Sequence, residues 1–356
     1  MALGLRGSKG VAAPPFTAGP YEWDQFVTFS AGIGASVTPG HVFYVDPRGP
    51  EYGLGNDAND GKSWSHALAT IQAAVDKCVD KRGDVIFVGP AANAKNSDGT
   101  DYRKIKENVL ITKSNVHIYA VPFKSTWSHQ YRPSDGSGPG GDRTEYAISL
   151  YPPAVVASNV GFVVNAQCVE IAGFCIDVGG GMVGIYIGDG SGITGTASES
   201  YNSAGAWIHD NYIRGGSEGT AAAGIVLQGC GSDVIIENNT IEQCGGYGIY
   251  IGSGSGKTNE RPKIINNRFI DNKGYGVYVY NSATNRQILI HGNVFTDETN
   301  TMTAGIKSAG TSTSHMLVSG NFFGCDVPLD LSTSDFFSGN FKVTTGTATE
   351  TYIAEA

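Results

Sequence analysis

Ile208-His-Asp-Asn211-Tyr-Ile213, Ile236-Glu-Asn-Asn239-Thr-Ile241, Ile264-Ile-Asn-Asn267-Arg-Phe269, Ile290-His-Gly-Asn293-Val-Phe295 and Val318-Ser-Gly-Asn321-Phe-Phe323 repeat one phrase. Their asparagines fall 28, 28, 26 and 28 residues apart. A period in this range signals a solenoid, in which each repeat stacks on its neighbours because none can bury its apolar face alone. Within each phrase apolar residues alternate with polar ones, so one set of side chains turns inward and the other faces solvent. We expect the asparagine to stand at a tight bend, tolerating left-handed backbone and offering an amide to the next coil. Asn211, Asn239, Asn267, Asn293 and Asn321 should then form a structural ladder rather than a reactive group.

A second phrase recurs in the same coils, as Gly184-Ile-Tyr-Ile187, Gly224-Ile-Val-Leu227, Gly248-Ile-Tyr-Ile251 and Gly276-Val-Tyr-Val279. Each coil therefore holds at least two strands and has no room for a helix. The strands must stack in parallel, about 4.8 Å apart. The phrase weakens upstream at Ile171-Ala-Gly-Phe174 and downstream at Phe337-Ser-Gly-Asn340-Phe-Lys342, which reads as a fraying last coil.

Ahead of the coils, Phe43-Tyr-Val-Asp46, the turn cluster GNDANDGKSW (55–64), apolar residues at helical spacing and Gly83-Asp-Val-Ile-Phe-Val88 read as strand, turn, helix and strand. The spacing predicts a helix over about 64–81, with Ile71 and Val75 plugging the open end of the solenoid and Gly83 ending it. Tyr44-Val-Asp46, Gly55-Asn-Asp57, Asp60-Gly61, Trp64, Thr70-Ile-Gln-Ala-Ala-Val75, Gly83–Val88 and Glu107-Asn-Val-Leu-Ile111, together with the asparagine coils, resemble the pectate-lyase-like superfamily of right-handed β-helix proteins. The expected fold class is all-β, a right-handed single-stranded parallel β-helix with an N-terminal α-helical cap. It would fill residues 43–342, between an N-terminal arm (1–42) and a C-terminal tail (343–356). The resemblance is informative about fold and poor in function, because this architecture serves lyases, glycosidases, epimerases, phage tailspikes and inert virion parts alike.

The chain carries 24 Lys and Arg against 33 Asp and Glu, a formal charge of −9. A sequence-independent grip on nucleic acid needs a basic stripe, so nucleic acid is not an expected partner. No run of apolar residues is long enough to span a bilayer, and the N-terminal stretch lacks the apolar core of a secretion signal. The six cysteines are scattered without zinc spacing, and we expect buried free thiols, no metal and no cofactor.

Candidate functional residues fall into four groups. Phe16, Tyr21, Trp23, Phe26 and Phe29 make the arm a candidate anchor to a partner. Insertions at about 123–146 and 188–205 interrupt the coils, and the first offers Trp127, His129, Tyr131 and Arg132 for binding. Tyr247, Tyr250, Tyr275, Tyr278 and Tyr280 point outward and suit either a subunit seam or a sugar platform. Finally, the residue after each coil's last apolar site gives the column Asp177, Arg214, Glu242, Ile270, Thr296, Gly324, whose first three members read as acid, base, acid or as a surface ion-pair ladder. A second column sets His209 beside Glu237, with His291 two coils on.

Clustered glycosidase aspartates and a lyase arginine signature are both missing, so these residues lead toward a non-enzymatic role. The first expectation is a bacteriophage virion protein of the capsid decoration or cement type, assembled in the host cytoplasm, trimeric, and held to other virion proteins such as the major capsid protein through residues 1–42. The alternatives are a tailspike-like protein that binds or depolymerises surface polysaccharide, and an extracellular carbohydrate-active lyase or hydrolase.

Overall fold

The computed structural model describes residues 40–48, 55–89, 104–121, 149–150, 160–178, 183–188, 203–215, 223–252, 258–280, 285–299, 301–309, 315–331, 335–343 and 350–352. Among these, each complete coil contributes one strand to each of three sheets, paired in parallel from coil to coil, so the expected right-handed parallel β-helix is what forms; only the last described strand, Glu350–Tyr352, is antiparallel, to Phe341–Val343. One coil runs through Trp207–His209 in sheet 1, Tyr212–Gly215 in sheet 2 and Ala223–Gln228 in sheet 3. The next repeats the path through Ile235–Glu237, Thr240–Glu242 and Tyr247–Gly252, paired in register with the first. A short fourth sheet, Gly231–Ser232 with Asn259–Glu260 and Asn285–Arg286, stiffens the return to sheet 1.

The asparagines line one corner, between sheets 1 and 2. Each ladder side chain takes both the main-chain N–H and the side-chain amide of its predecessor, as Asn267 does from Asn239 at 3.0 Å each. The contact passes unbroken from Asn211 to Asn340, so the coil expected to fray continues the ladder, with Asn321 donating to Asn340 Oδ1 at 2.9 Å. Only the last apolar position is lost there, to Lys342.

The left-handed bend, however, belongs to the residue before each ladder asparagine: Asp210, Asn238 and Asn266 have φ of 53°, 55° and 55°, and Gly292 and Gly320 have 67° and 64°. The ladder residue keeps ordinary backbone because its amide must point into the corner. A second pair, Asn259 to Asn285, closes the corner into the fourth sheet.

Helix α1 spans Ile71–Lys77, shorter than expected, after a single 3-10 turn at Trp64–His66. Thr70 caps it by accepting from Ala73 N–H, and the Glu107 carboxylate takes the Ile71 N–H. Burial pushes Glu107 up to about 7. The helix stops at Cys78, not Gly83, because the next residue turns away: Val79 N–H goes to the buried Asp84 carboxylate. Ile71, Ala74 and Val75 plug the tube as expected. Leu68 lies outside the helix, bridged to Val45.

Inside the tube, Phe269, Phe295 and Phe323 stack face to face at 4.6 and 4.8 Å. Each packs on a glycine of sheet 3, Gly248, Gly276 and Gly305 in turn, where a Cβ has no room. Built on Gly276, it would lie 2.5 Å from the Phe295 ring and 2.7 Å from Gly305 O. Gly276→Ala should therefore cost about 1–3 kcal/mol through overpacking, read as a lower urea midpoint.

All six cysteines are free, but Cys168 is exposed and Cys175 half-buried, so burial holds for only four of them. Cys168 sits at a corner with φ of 52°, which turns its side chain out of the core. Among the described residues no helix is long and apolar enough to cross a membrane.

Candidate functional site: the tyrosine face of sheet 3

Strict alternation would send Tyr247 and Tyr250 to opposite sides of their strand, since they are three residues apart. Both share the outer surface because alternation breaks at Gly248, where glycine and Ile249 both face the interior, and it breaks again at Gly276 and Val277 for Tyr275 and Tyr278. Register then sets Tyr247 beside Tyr275 and Tyr250 beside Tyr278. The rings form two near-parallel pairs, 5.9 Å apart at 12° and 5.6 Å apart at 16°. Tilted contacts of 5.0 Å tie Tyr247 to both Tyr250 and Tyr278, making a continuous four-ring surface. All four are half-buried, and Tyr280 at the strand end is 42% exposed.

Upstream, this surface grows out of a buried outer cluster of Val160, Val163, Tyr186, Ala223 and Val226. Downstream, Tyr278 is followed in register by Lys307 and then Asp330, which are ion-paired to each other. Burial, and after it the neighbouring phenols, raise Tyr250 and Tyr278 above the ordinary tyrosine value. These two phenols therefore stay neutral, and the four rings together combine aromatic carbon with hydroxyl groups on one surface.

The acid, base, acid column is in register: Asp177 pairs with Arg214, and Arg214 with Glu242. The side chains nevertheless go to other partners. Glu242 accepts from the Tyr212 hydroxyl, and Arg214 reaches Gln243 Oε1 at 3.3 and 3.4 Å. Neither group is thereby directed at a shared reacting atom.

His209 is in register with Glu237, but its ring bonds Glu170 at 2.9 Å and Asp210 at 2.9 Å. Both ring nitrogens thus face carboxylate oxygens, an arrangement that favours the protonated ring. Burial alone would push His209 down, yet these two carboxylates hold it above the ordinary histidine value. Glu170 also takes His117 Nδ1 at 2.6 Å and interacts with Tyr119. Burial would raise Glu170, but the bonds from His117, His209 and Tyr119 outweigh it and bring it to about 2. Ala172 lies in register between Tyr119 and His209, and Trp207 stacks on His209 with ring centroids 4.0 Å apart.

His291 stands apart, bonded to Ser319. Trp127, His129, Tyr131 and Arg132 lie outside the described residues, as do Phe16, Tyr21, Trp23, Phe26 and Phe29. Among the described residues no three His, Cys, Asp or Glu side chains converge on a metal position.

Residues 160–323 match the family model for the right handed beta helix region. No curated protein sequence matches the chain. Among solved structures, an alginate lyase from Paenibacillus sp. str. FPU-7 is similar at 15% identity and a TM-score of 0.48, over 78% of this chain and 85% of that one. Pectate lyase Pel9A is similar at 12% identity and a TM-score of 0.49, over 81% of this chain but only 64% of its own. DFA-IIIase from Arthrobacter chlorophenolicus A6, in complex with GF2, is similar at 17% identity and a TM-score of 0.47, over 84% and 70% of the two chains. These are likenesses of chain path, and no chemistry of this chain follows from them. Neither they nor the family match speaks for a virion role.

Proposed function

We propose that the protein is a carbohydrate-active β-helix that binds a polysaccharide along the tyrosine face of sheet 3. This is the polysaccharide-binding alternative left open by the sequence, set above the decoration role, which rests on an arm outside the described residues. One observation carries it: four phenol rings from two adjacent coils, in two near-parallel pairs, gather on one face of a rigid sheet. Sugars have apolar C–H faces that pack on aromatic carbon and hydroxyls that bond to phenols.

The test is affinity electrophoresis of the full chain through gels containing polysaccharide, with Tyr247→Ala, Tyr275→Ala and the double variant. Each ring removed should weaken binding about fivefold, from about 1 kcal/mol of lost contact. If no polysaccharide retards the protein, the reading fails. A concentration-dependent oligomer dissolved by the same substitutions would reassign the face to a subunit seam.

A further inference from the structure

The strands of sheet 3 differ from those of the other two large sheets in their charge. Among their described residues, from Val109–Ile111 through Leu329–Asp330, Lys307 and Asp330 are the charged ones. These two sit on adjacent coils directly beyond Tyr278, and their side chains pair, with Lys307 25% and Asp330 50% exposed. Lys273, at the corner before Tyr275, is not a free cation either.

We propose that the tyrosine face selects uncharged polysaccharides, and that Asp330 enforces this by occupying Lys307. The inference rests on the polysaccharide-binding reading and names the ligand class of that same site. An acidic chain laid over these rings would strip water from its carboxylates and find, among the described residues of the sheet 3 strands, only the already paired Lys307 in exchange, which is costly for any charge moved off water. It would also approach an Asp330 carboxylate and a chain whose net charge is −9. A neutral pyranose or furanose chain meets neither penalty. Its hydroxyls find partners in the phenol edges and in Gln228, which already accepts from the Tyr186 hydroxyl on this face.

The experiment uses the full chain against dextran, inulin and unsubstituted xylan as neutral probes, and polygalacturonate and alginate as acidic ones, at low and high salt. The wild type should be retarded by at least one neutral probe, independently of salt, and by neither acidic probe. Asp330→Asn should free Lys307 and raise affinity for polygalacturonate about fivefold at low salt, the scale of one exposed charge pair, with the gain disappearing at high salt. A thermal melt of the variant establishes that it is folded. Retardation of the wild type by acidic probes, abolished by Tyr247→Ala, would overturn this inference while leaving the binding function standing. Failure of every probe would overturn both. Unchanged acidic binding in folded Asp330→Asn would remove Asp330 as the selecting residue.

Discussion

Asn239→Ala should lower the unfolding free energy by about 4 kcal/mol, because each buried donor or acceptor left without a partner costs about 1–3 kcal/mol. The Asn239 amide donates to Ile208 O at 2.9 Å, Glu237 O at 3.0 Å and Asn267 Oδ1 at 3.0 Å. Its oxygen accepts from Asn211 N–H at 3.0 Å and the Asn211 amide at 3.1 Å. Alanine removes all of these in a corner closed to water, where Asn211, Asn239 and Asn267 are at most 2% exposed. Asn239→Asp is the sharper comparison. Its carboxylate can still accept from Asn211 but turns an oxygen toward the two carbonyls, so it should be worse than alanine at neutral pH and partly recover on acidification. Urea unfolding followed by circular dichroism reads both. A loss below about 1 kcal/mol for alanine would mean that the amide contacts contribute little net stability.

Acidification should remove on the order of 3 kcal/mol between pH 4.5 and about 2, through Glu170 alone. Its folded pKa is depressed from 4.5 to about 2, so the native state holds the carboxylate while the unfolded chain takes up a proton. The contribution is complete above pH 4.5 and disappears as pH falls toward the folded value. His209 acts in the opposite sense, since its pKa is raised: its share is complete below the ordinary value of 6.5 and declines as pH rises through the folded one. Stability should therefore have an acid limb set by Glu170 and a weaker alkaline limb set by His209. In Glu170→Gln the acid limb should flatten while the neutral-pH stability drops, because the two histidines lose their shared anion. Thermal melts across this range, wild type beside variant, measure it. An unchanged acid limb in Glu170→Gln would assign it to other carboxylates.

The fold was legible because one residue type marks one corner in every coil, and the spacing survives whatever the loops do. The tyrosine face was legible as outward aromatics, but not as a platform. Its geometry depends on the inward-facing glycines Gly248 and Gly276, where alternation breaks and which period-two reading passes over.

The Glu170 network was missed for a different reason. Its partners His117 and His209 lie 53 and 39 residues away. Glu170 itself stands one residue ahead of its coil's phrase, a position that the repeat does not single out and that the two columns read from the sequence do not include. Likewise, the left-handed residue was assigned one position late, because asparagine serves both the bend and the ladder in Asn238-Asn239 and Asn266-Asn267. The coils with Asp210, Gly292 and Gly320 separate the two tasks.

The ladder tolerates unequal coils. Asn267 and Asn293 are 26 residues apart and Asn321 and Asn340 only 19, yet both pairs make the same two bonds, at 2.8–3.1 Å. Residues can thus be gained or lost at the other corners without disturbing the pin on which the coils are threaded. A lineage, or an engineer, can lengthen the segments bordering sheet 3 to reshape what the tyrosines grip while the scaffold goes on assembling as before.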